Sequence, residues 1–387
     1  MLPFSSFDFF FFILIFLVFL SVVRKIFASR HYNYALFFLN ALFLFLVYPK
    51  PWHFLFLIIF SYGATALALN VFKFKKKIWG ILLLLLPMLL VKADIRFEFY
   101  PFELNSLISF AGLSYASFRI MSYYMDKAPG DAMSNPITYF NFLAFTPTLL
   151  IGPIDRYAHF KSSEEKGFMQ MNSEKFISGW NKVVKGIVFK YILAEVVDRY
   201  WLNTHPPESK LLLHMASDMY AYYVYLFFDF AGYSSMAIGV AEMMGMEVPV
   251  NFTNPFVSVN PQDFWRRFHI TLGEWLRDYF FTPLYMYFTR RKGLKAYPLL
   301  RQNTALVLTF LLMGCWNGFK INFILSGLLF GIFSAVHNTY VVNCRKQGRD
   351  VVFGKLNELT VKYLSIFIMI NLAAFALYIF SGRCPLL

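Results

Sequence analysis

Charge is scarce in this chain. Only 15% of its 387 residues are Asp, Glu, Lys or Arg, whereas 58% are hydrophobic. A single water-soluble core cannot hide so large an apolar fraction, so an ordinary soluble domain is excluded. Acidic residues are the scarcer sign, 22 against 36 basic, which leaves a net charge of +14. The basic excess sits in short clusters between apolar runs and forms no stripe along one face. That pattern argues against nucleic acid and fits loop charges that orient helices in a bilayer, some of them free to meet acidic lipids or an acidic partner. Cysteine is nearly absent. Cys315, Cys344 and Cys384 lie far apart with no CxxC spacing, so neither a disulfide framework nor a zinc site is implied, and no histidine has metal-ligand spacing. Internal repeats, low-complexity linkers and long polar stretches are missing as well, and the chain reads as one membrane domain over residues 1–387.

What the sequence has in abundance is aromatic apolar surface: 49 Phe and 24 Tyr, with aromatic residues 21% of the total. A spanning helix needs roughly 20 mostly apolar residues at 1.5 Å rise. Runs that qualify cover about Phe9 to Val23, Tyr34 to Tyr48, Phe54 to Val71, Ile78 to Val91, Leu104 to Tyr123, Val183 to Val197, Tyr220 to Met244, Ala305 to Trp316, Phe323 to Val342 and Tyr363 to Phe380. Thr138 to Ile151 and Tyr279 to Tyr287 are shorter and read as re-entrant or interfacial. The first run is followed by Arg24 and Lys25 with no small-residue cleavage site, and it reads as a retained helix. Arg24, Lys25 and Arg30 after the first helix, and Lys73, Lys75, Lys76 and Lys77 after the third, place those loops in the cytoplasm and the N-terminus outside. The most polar segments, Ser162 to Lys175 and Gly348 to Glu358, are the candidates for exposed loops or surface helices.

Candidate chemistry concentrates between Phe227 and Tyr279, in FFDFAGYSSMAIG and then NFTNPFVSVNPQDFWRRFHITLGEWLRDYFFTPL. Asp229 stands inside an apolar run, where an ionisable group costs several kcal/mol unless it is paired or faces water; a structural carboxylate and a chemical one are both open. Trp265 and His269 are four apart, so helical spacing would set indole and imidazole on one face toward a cavity, with Arg266, Arg267 and Arg277 on other surroundings. His31, His53, His159, His205 and His214 fall in loops or at helix ends and are unremarkable, and His337 reads as structural.

Three segments carry a family resemblance. FFDFAGYSSMAIG, NPF and FWRRFHITLGEWLRDY, supported upstream by TPTLLIGPIDRY at Thr146 to Tyr157, resemble the signature of the membrane-bound O-acyltransferase (MBOAT) superfamily. Asp155 and Arg156 after GPI favour its D-alanyl-transfer, DltB-like branch over the alginate branch. The likeness is strong over residues 135–337, with 1–125 as N-terminal helices matched only in hydropathy and 338–387 as a C-terminal helix region. The resemblance implies an all-α helical ring around a central tunnel, with re-entrant segments and about 10 to 12 membrane helices or half-helices. It implies transfer of an acyl group, D-alanyl or similar, from a phosphopantetheine thioester on a small acidic, DltC-like carrier protein to a hydroxyl of a cell-envelope polymer or lipid such as teichoic acid. No bound cofactor, metal or nucleic acid is implied. Membrane lipids and further envelope-modification subunits are the other implied partners, in a plasma or bacterial inner membrane.

The resemblance also assigns roles. His269 stands at the first of the family's two polar active-site positions. The second, usually histidine in MGxWHG, falls in MGCWNG, where Asn317 replaces it. Trp265, Trp316, Asp229, Arg266 and Arg267 would line the tunnel or bind substrate. An attacking hydroxyl needs a base and the developing oxyanion needs donors, and an amide accepts no proton at neutral pH. Three readings of Asn317 stay open: a histidine replaced to trap a complex, a degenerate member with another role, or His269 as base with Asn317 as oxyanion donor. The basic clusters Arg290, Arg291, Lys292, Lys295 and Arg345, Lys346, Arg349 fit cytoplasmic loops, and one of them, with Arg266 and Arg267, is a candidate for steering an acidic carrier. A silent scaffold is the alternative function. A transporter or channel is the third, with no inverted repeat to support it.

Overall fold

A computed structural model describes residues 7–27, 31–47, 51–71, 77–97, 112–204, 211–349 and 356–385. Its elements are helices. They are α1 (Phe7–Phe27), α2 (Tyr32–Val47), α3 (Pro51–Val71), α4 (Lys77–Phe97), α5 (Leu113–Asp126), α6 (Pro136–Ala144), α7 (Tyr157–Gln170) and α8 (Ser173–Ile187). Then follow α9 (Leu212–Met243), the short α10 (Pro261–Trp265) and α11 (Ile270–Leu276), α12 (Thr282–Thr289), α13 (Pro298–Asn317), α14 (Ile321–Lys346) and α15 (Glu358–Ser381). Among the described residues the β-type pairing is a single bridge, Phe252 to Phe268. Among the described residues five helices, α3, α9, α13, α14 and α15, are long and apolar enough to cross a membrane, and the chain is an all-α, polytopic membrane protein.

The local sequence explains several helix starts. Proline occupies the first turn of α3, α6, α10 and α13, where its missing N–H costs no helical bond. Asn135, Asn260 and Asn357 cap α6, α10 and α15 by accepting a backbone N–H from Ile137, Asp263 and Thr360, as short polar side chains do at N-caps. The run Val183 to Val197 is less regular than its hydropathy suggests. It crosses the end of α8 into π-helical turns at Val188–Ala194 and Asp198–Leu202, and it is not among the five long apolar helices.

The chain divides into two compact units. The first holds residues 1–187 and 233–249, with a core that includes Phe16, Leu36, Phe43, Phe54, Tyr139 and Phe142. Its polar interior holds a hydrogen-bond network. Arg119, 2% exposed, donates to the Phe142, Leu143 and Thr148 carbonyls at 3.0, 3.3 and 2.8 Å, which tie α5 to the irregular turn after α6. Asn141 donates to Glu164 Oε1 at 2.7 Å and to Asn33 O at 2.9 Å. The segment Ser162 to Lys175 is therefore not uniformly a surface element: Ser163 and Glu164 are buried on α7, and burial raises the Glu164 carboxyl above its ordinary range.

The second unit holds residues 188–232 and 250–387. Its α13 and α14 approach closely through glycine. A Cβ on Gly314 would lie 2.5 Å from the Phe323 carbonyl oxygen, and one on Gly327 would meet the Phe310 carbonyl closer still, the small-residue packing that membrane helices use. Asn338 Nδ2 donates to Asn303 Oδ1, and Asn303 Nδ2 to Thr339 Oγ1, both at 2.7 Å, so the same two helices are also joined by amides. Of the sequence expectations, Arg30, Lys73, Lys75, Lys76, His205, residues 104–111 of the Leu104 to Tyr123 run and residues 350–355 of the Gly348 to Glu358 segment lie outside the described residues.

Candidate functional site

The site residues expected from sequence fall in the second unit. His269 is the residue before α11, with φ 49° and ψ 52°. This left-handed conformation is uncommon for residues other than glycine, although histidine and asparagine adopt it more readily than most. Backbone pairing holds it there. Thr253 N donates to Arg267 O at 2.9 Å and Ile270 N to Asn251 O at 3.0 Å, while Thr271 Oγ1 donates to Asn251 Oδ1 at 3.0 Å. The segment NFT thus clamps the chain on both sides of the histidine. Leu272 and Gly273 N–H then donate to the His269 carbonyl at 3.1 Å each, starting α11.

The imidazole is 7% exposed and stands edge-on to the Phe230 ring at 4.6 Å. Its Nε2 is buried with no hydrogen-bond partner, and burial pushes its pKa down to about 3. The ring is neutral at physiological pH, and its Nε2 makes no hydrogen bond within the protein. The expectation that Trp265 and His269 share a helical face is corrected here. Helix α10 ends at Trp265, the Phe252 to Phe268 bridge intervenes, and the left-handed turn sends the two side chains to different neighbours.

Trp265 packs on Phe310 and Phe330, with ring centroids at 5.3 and 5.0 Å. It lines a cavity of about 370 Å³ together with Arg266, Glu274, Arg277, Gln302 and Thr309. Trp265 Nε1 is buried without a partner. Arg277 is paired with Asp278 at 2.8 Å, whereas Arg266 is exposed and has no carboxylate partner among the described residues. The cavity therefore combines an apolar floor with the Arg266 guanidinium and the Glu274 carboxylate, a set suited to an elongated substrate with a polar part. Arg267 does different work: its Nε donates to Asp263 Oδ1 at 2.9 Å, one turn back, so it braces α10.

Asp229 forms an ion pair with Lys190 on the first π-helical stretch, adjacent in sequence to the Phe230 that supports His269. Trp316 and Asn317 end α13. Asn317 Nδ2 donates to the Met313 carbonyl at 2.9 Å, one turn back on the same helix. Among the described residues no hydrogen bond joins Asn317 to His269. The structure thus brings Trp265 and Arg266 to one cavity and seats His269 beside Phe230, while Asn317 is placed at the exposed end of α13.

Two features escaped the sequence reading. Lys190 lies 39 positions from Asp229, with no local pattern to announce it. His159 was passed over, yet its Nδ1 meets both carboxylate oxygens of the buried Asp155 at 2.8 and 3.0 Å; their i, i+4 spacing within GPIDRYAH was the available signal.

Comparison with known proteins identifies the family. The profile of the MBOAT, membrane-bound O-acyltransferase family, matches residues 113–380. A teichoic acid D-alanyltransferase of Bacillus subtilis (strain 168) is 33% identical over 286 residues, 72% of this chain and 70% of the relative. One from Streptococcus thermophilus is 30% identical over 316 residues, 78% and 74% of the two chains. A probable alginate O-acetylase of Pseudomonas syringae pv. tomato is 32% identical over 267 residues, 67% of this chain but only 49% of that protein. On the strength of the profile and of these relatives, this chain belongs to the membrane-bound O-acyltransferase family.

Proposed function

We propose that the chain transfers an acyl group, D-alanyl in the first instance, from a carrier-protein thioester to a hydroxyl of a teichoic-acid-like envelope acceptor, with chemistry slowed by asparagine at position 317. The relatives named for teichoic acid D-alanylation, which share 70% and 74% of their length with this chain, support the substrate class. In such a transfer the hydroxyl oxygen bonds to the thioester carbonyl carbon, its proton passes to a base, and the C–S bond breaks as the thiol takes up a proton. The observation that supports the proposal is MGCWNG itself: a Cβ on Gly314 would lie 2.5 Å from the Phe323 carbonyl oxygen and Asn317 Nδ2 donates to Met313 O, at the position where the family resemblance expects a basic histidine nitrogen.

His269 supports the chemistry in another role. With its pKa held near 3 it is too weak a base to drive proton removal near neutrality, where the most effective catalytic groups titrate. A neutral imidazole with an unpartnered buried Nε2 is suited to hydrogen-bonding the reacting groups. Arg266, with no carboxylate partner, is suited to attract an acidic carrier.

A second reading has a specific observation behind it. The same pairing of Asn317 with a weakly basic His269 suits a catalytically silent protein that holds carrier or acceptor in an envelope-modification complex. The test uses the protein in lipid nanodiscs with D-alanyl-loaded carrier and lipoteichoic acid. Acylated acceptor, formed slowly by the chain as written and lost in His269→Ala, supports transfer. Carrier binding that weakens with salt, with no acylated acceptor even from Asn317→His, supports the scaffold instead.

A further inference from the structure

A second cavity in the second unit is lined by neither His269 nor Asn317. It has a volume of about 800 Å³ and runs between the C-terminal half of α14 and the N-terminal half of α15, meeting the smaller cavity only at Pro261. Its lining changes character along its length. Ile332, Phe333, Ile368, Met369 and Leu372 surround one end, and His337, Tyr340, Glu358 and Lys362 the other. The walls are membrane-crossing helices, and Val336, Ile332 and Ile368 on the slot are 65%, 42% and 41% exposed, so it opens sideways toward hydrocarbon.

Three physical arguments converge on its occupant. An apolar slot does not hold water well, and left empty it forfeits dispersion contacts along both helices. Fourteen residues separate Glu358 from Leu372 on α15, which is about 21 Å at helical rise; that exceeds half the roughly 30 Å hydrocarbon core of a bilayer and accommodates one acyl chain with its ester. At the polar end the charges are mostly basic: Arg345 and Lys346 in the last turn of α14, then Arg349, with Lys362 on the slot itself against the single carboxylate of Glu358. Lys362 makes no ion pair among the described residues.

We propose that this slot is a binding site for an anionic glycerophospholipid of the surrounding bilayer, one acyl chain lying between α14 and α15. The phosphate lies at Lys362 and the Arg345 to Arg349 cluster.

The test uses the full chain in nanodiscs of phosphatidylcholine containing a trace of either phosphatidylglycerol or phosphatidylcholine with a photoreactive acyl chain, and peptide mapping of the cross-links. The proposal expects phosphatidylglycerol label concentrated on residues 332–340 and 361–372, at about five times the yield of the phosphatidylcholine probe, the factor that one basic residue near a phosphate contributes. Lys362→Glu should remove that preference. The slot-filling pair Val336→Trp and Ile368→Trp, both at exposed positions, should abolish the label there and leave that on α3 unchanged, which also reports that the variant is folded. Equal labelling by the two probes, or labelling of α14 and α15 that survives the slot-filling pair, overturns the proposal.

Discussion

Replacing Asp229 with alanine leaves Lys190 without its counter-ion, and the cost follows from how deeply the pair sits. The two side chains are 34% and 23% exposed, intermediate between a surface pair worth about 0 to 1 kcal/mol and a buried one whose disruption costs about 3 to 5 kcal/mol. A loss of about 2 kcal/mol is expected for Asp229→Ala or Lys190→Ala, which for a unit of this size lowers Tm by about 4 to 8 °C. Removing both charges as Asp229→Leu with Lys190→Leu leaves no orphan ion, and the double variant should lie within about 1 kcal/mol of the parent. The assay is thermal unfolding in one detergent for the parent, both single variants and the double variant. Because Asp229 precedes the Phe230 that supports His269, the single variants should also lose acyl transfer. Single variants that melt with the parent, or a double variant that melts as low as the two losses summed, would refute the reasoning.

Two further outcomes follow from particular contacts. Gly314→Ala places a methyl 2.5 Å from the Phe323 carbonyl; overpacking of this kind costs about 1 to 3 kcal/mol, and differential scanning fluorimetry should show a lower Tm for it than for Gly293→Ala, where a Cβ meets nothing within 4 Å. The hydrogen bond to Asp155 raises His159 above its ordinary value of 6.5, so the charged form is favoured in the fold. Stability from this dyad should be fully present below pH 6.5 and be lost as pH rises through the raised value. His159→Gln should flatten the pH dependence of Tm in that window, and an unchanged profile would show that the dyad contributes nothing.

Much of the architecture was legible because apolar run length is set by the bilayer. The runs from Phe54, Tyr220, Phe323 and Tyr363 all lie within helices long enough to cross it. What hydropathy could not show was where a helix is interrupted by tertiary pairing. The spacing of Trp265 and His269 is helical on paper, yet Asn251 and Thr253, 14 to 20 positions away, pin the backbone into a left-handed turn between them. The π-helical turns between Val188 and Leu202 were equally invisible, since they preserve an apolar composition and change only the winding. The motif residues themselves were recognisable. Their division of labour was not: Arg266 faces a cavity while Arg267 braces Asp263, a difference that depends on where α10 ends.

The central claim is that acyl transfer by this chain is limited by the missing base at position 317. Asparagine reproduces one edge of an imidazole, its Nδ2 holding Met313 O at 2.9 Å; a histidine there could donate Nδ1–H to the same carbonyl and leave Nε2 as the proton acceptor. The most direct measurement is the single-turnover rate of D-alanyl transfer from loaded carrier to lipoteichoic acid for the parent and for Asn317→His in the same nanodiscs. The account predicts a gain of about 10² to 10⁴, the usual contribution of a positioned base. Equal rates in an active parent and the histidine variant, or silence from both while loaded carrier stays bound, would contradict it.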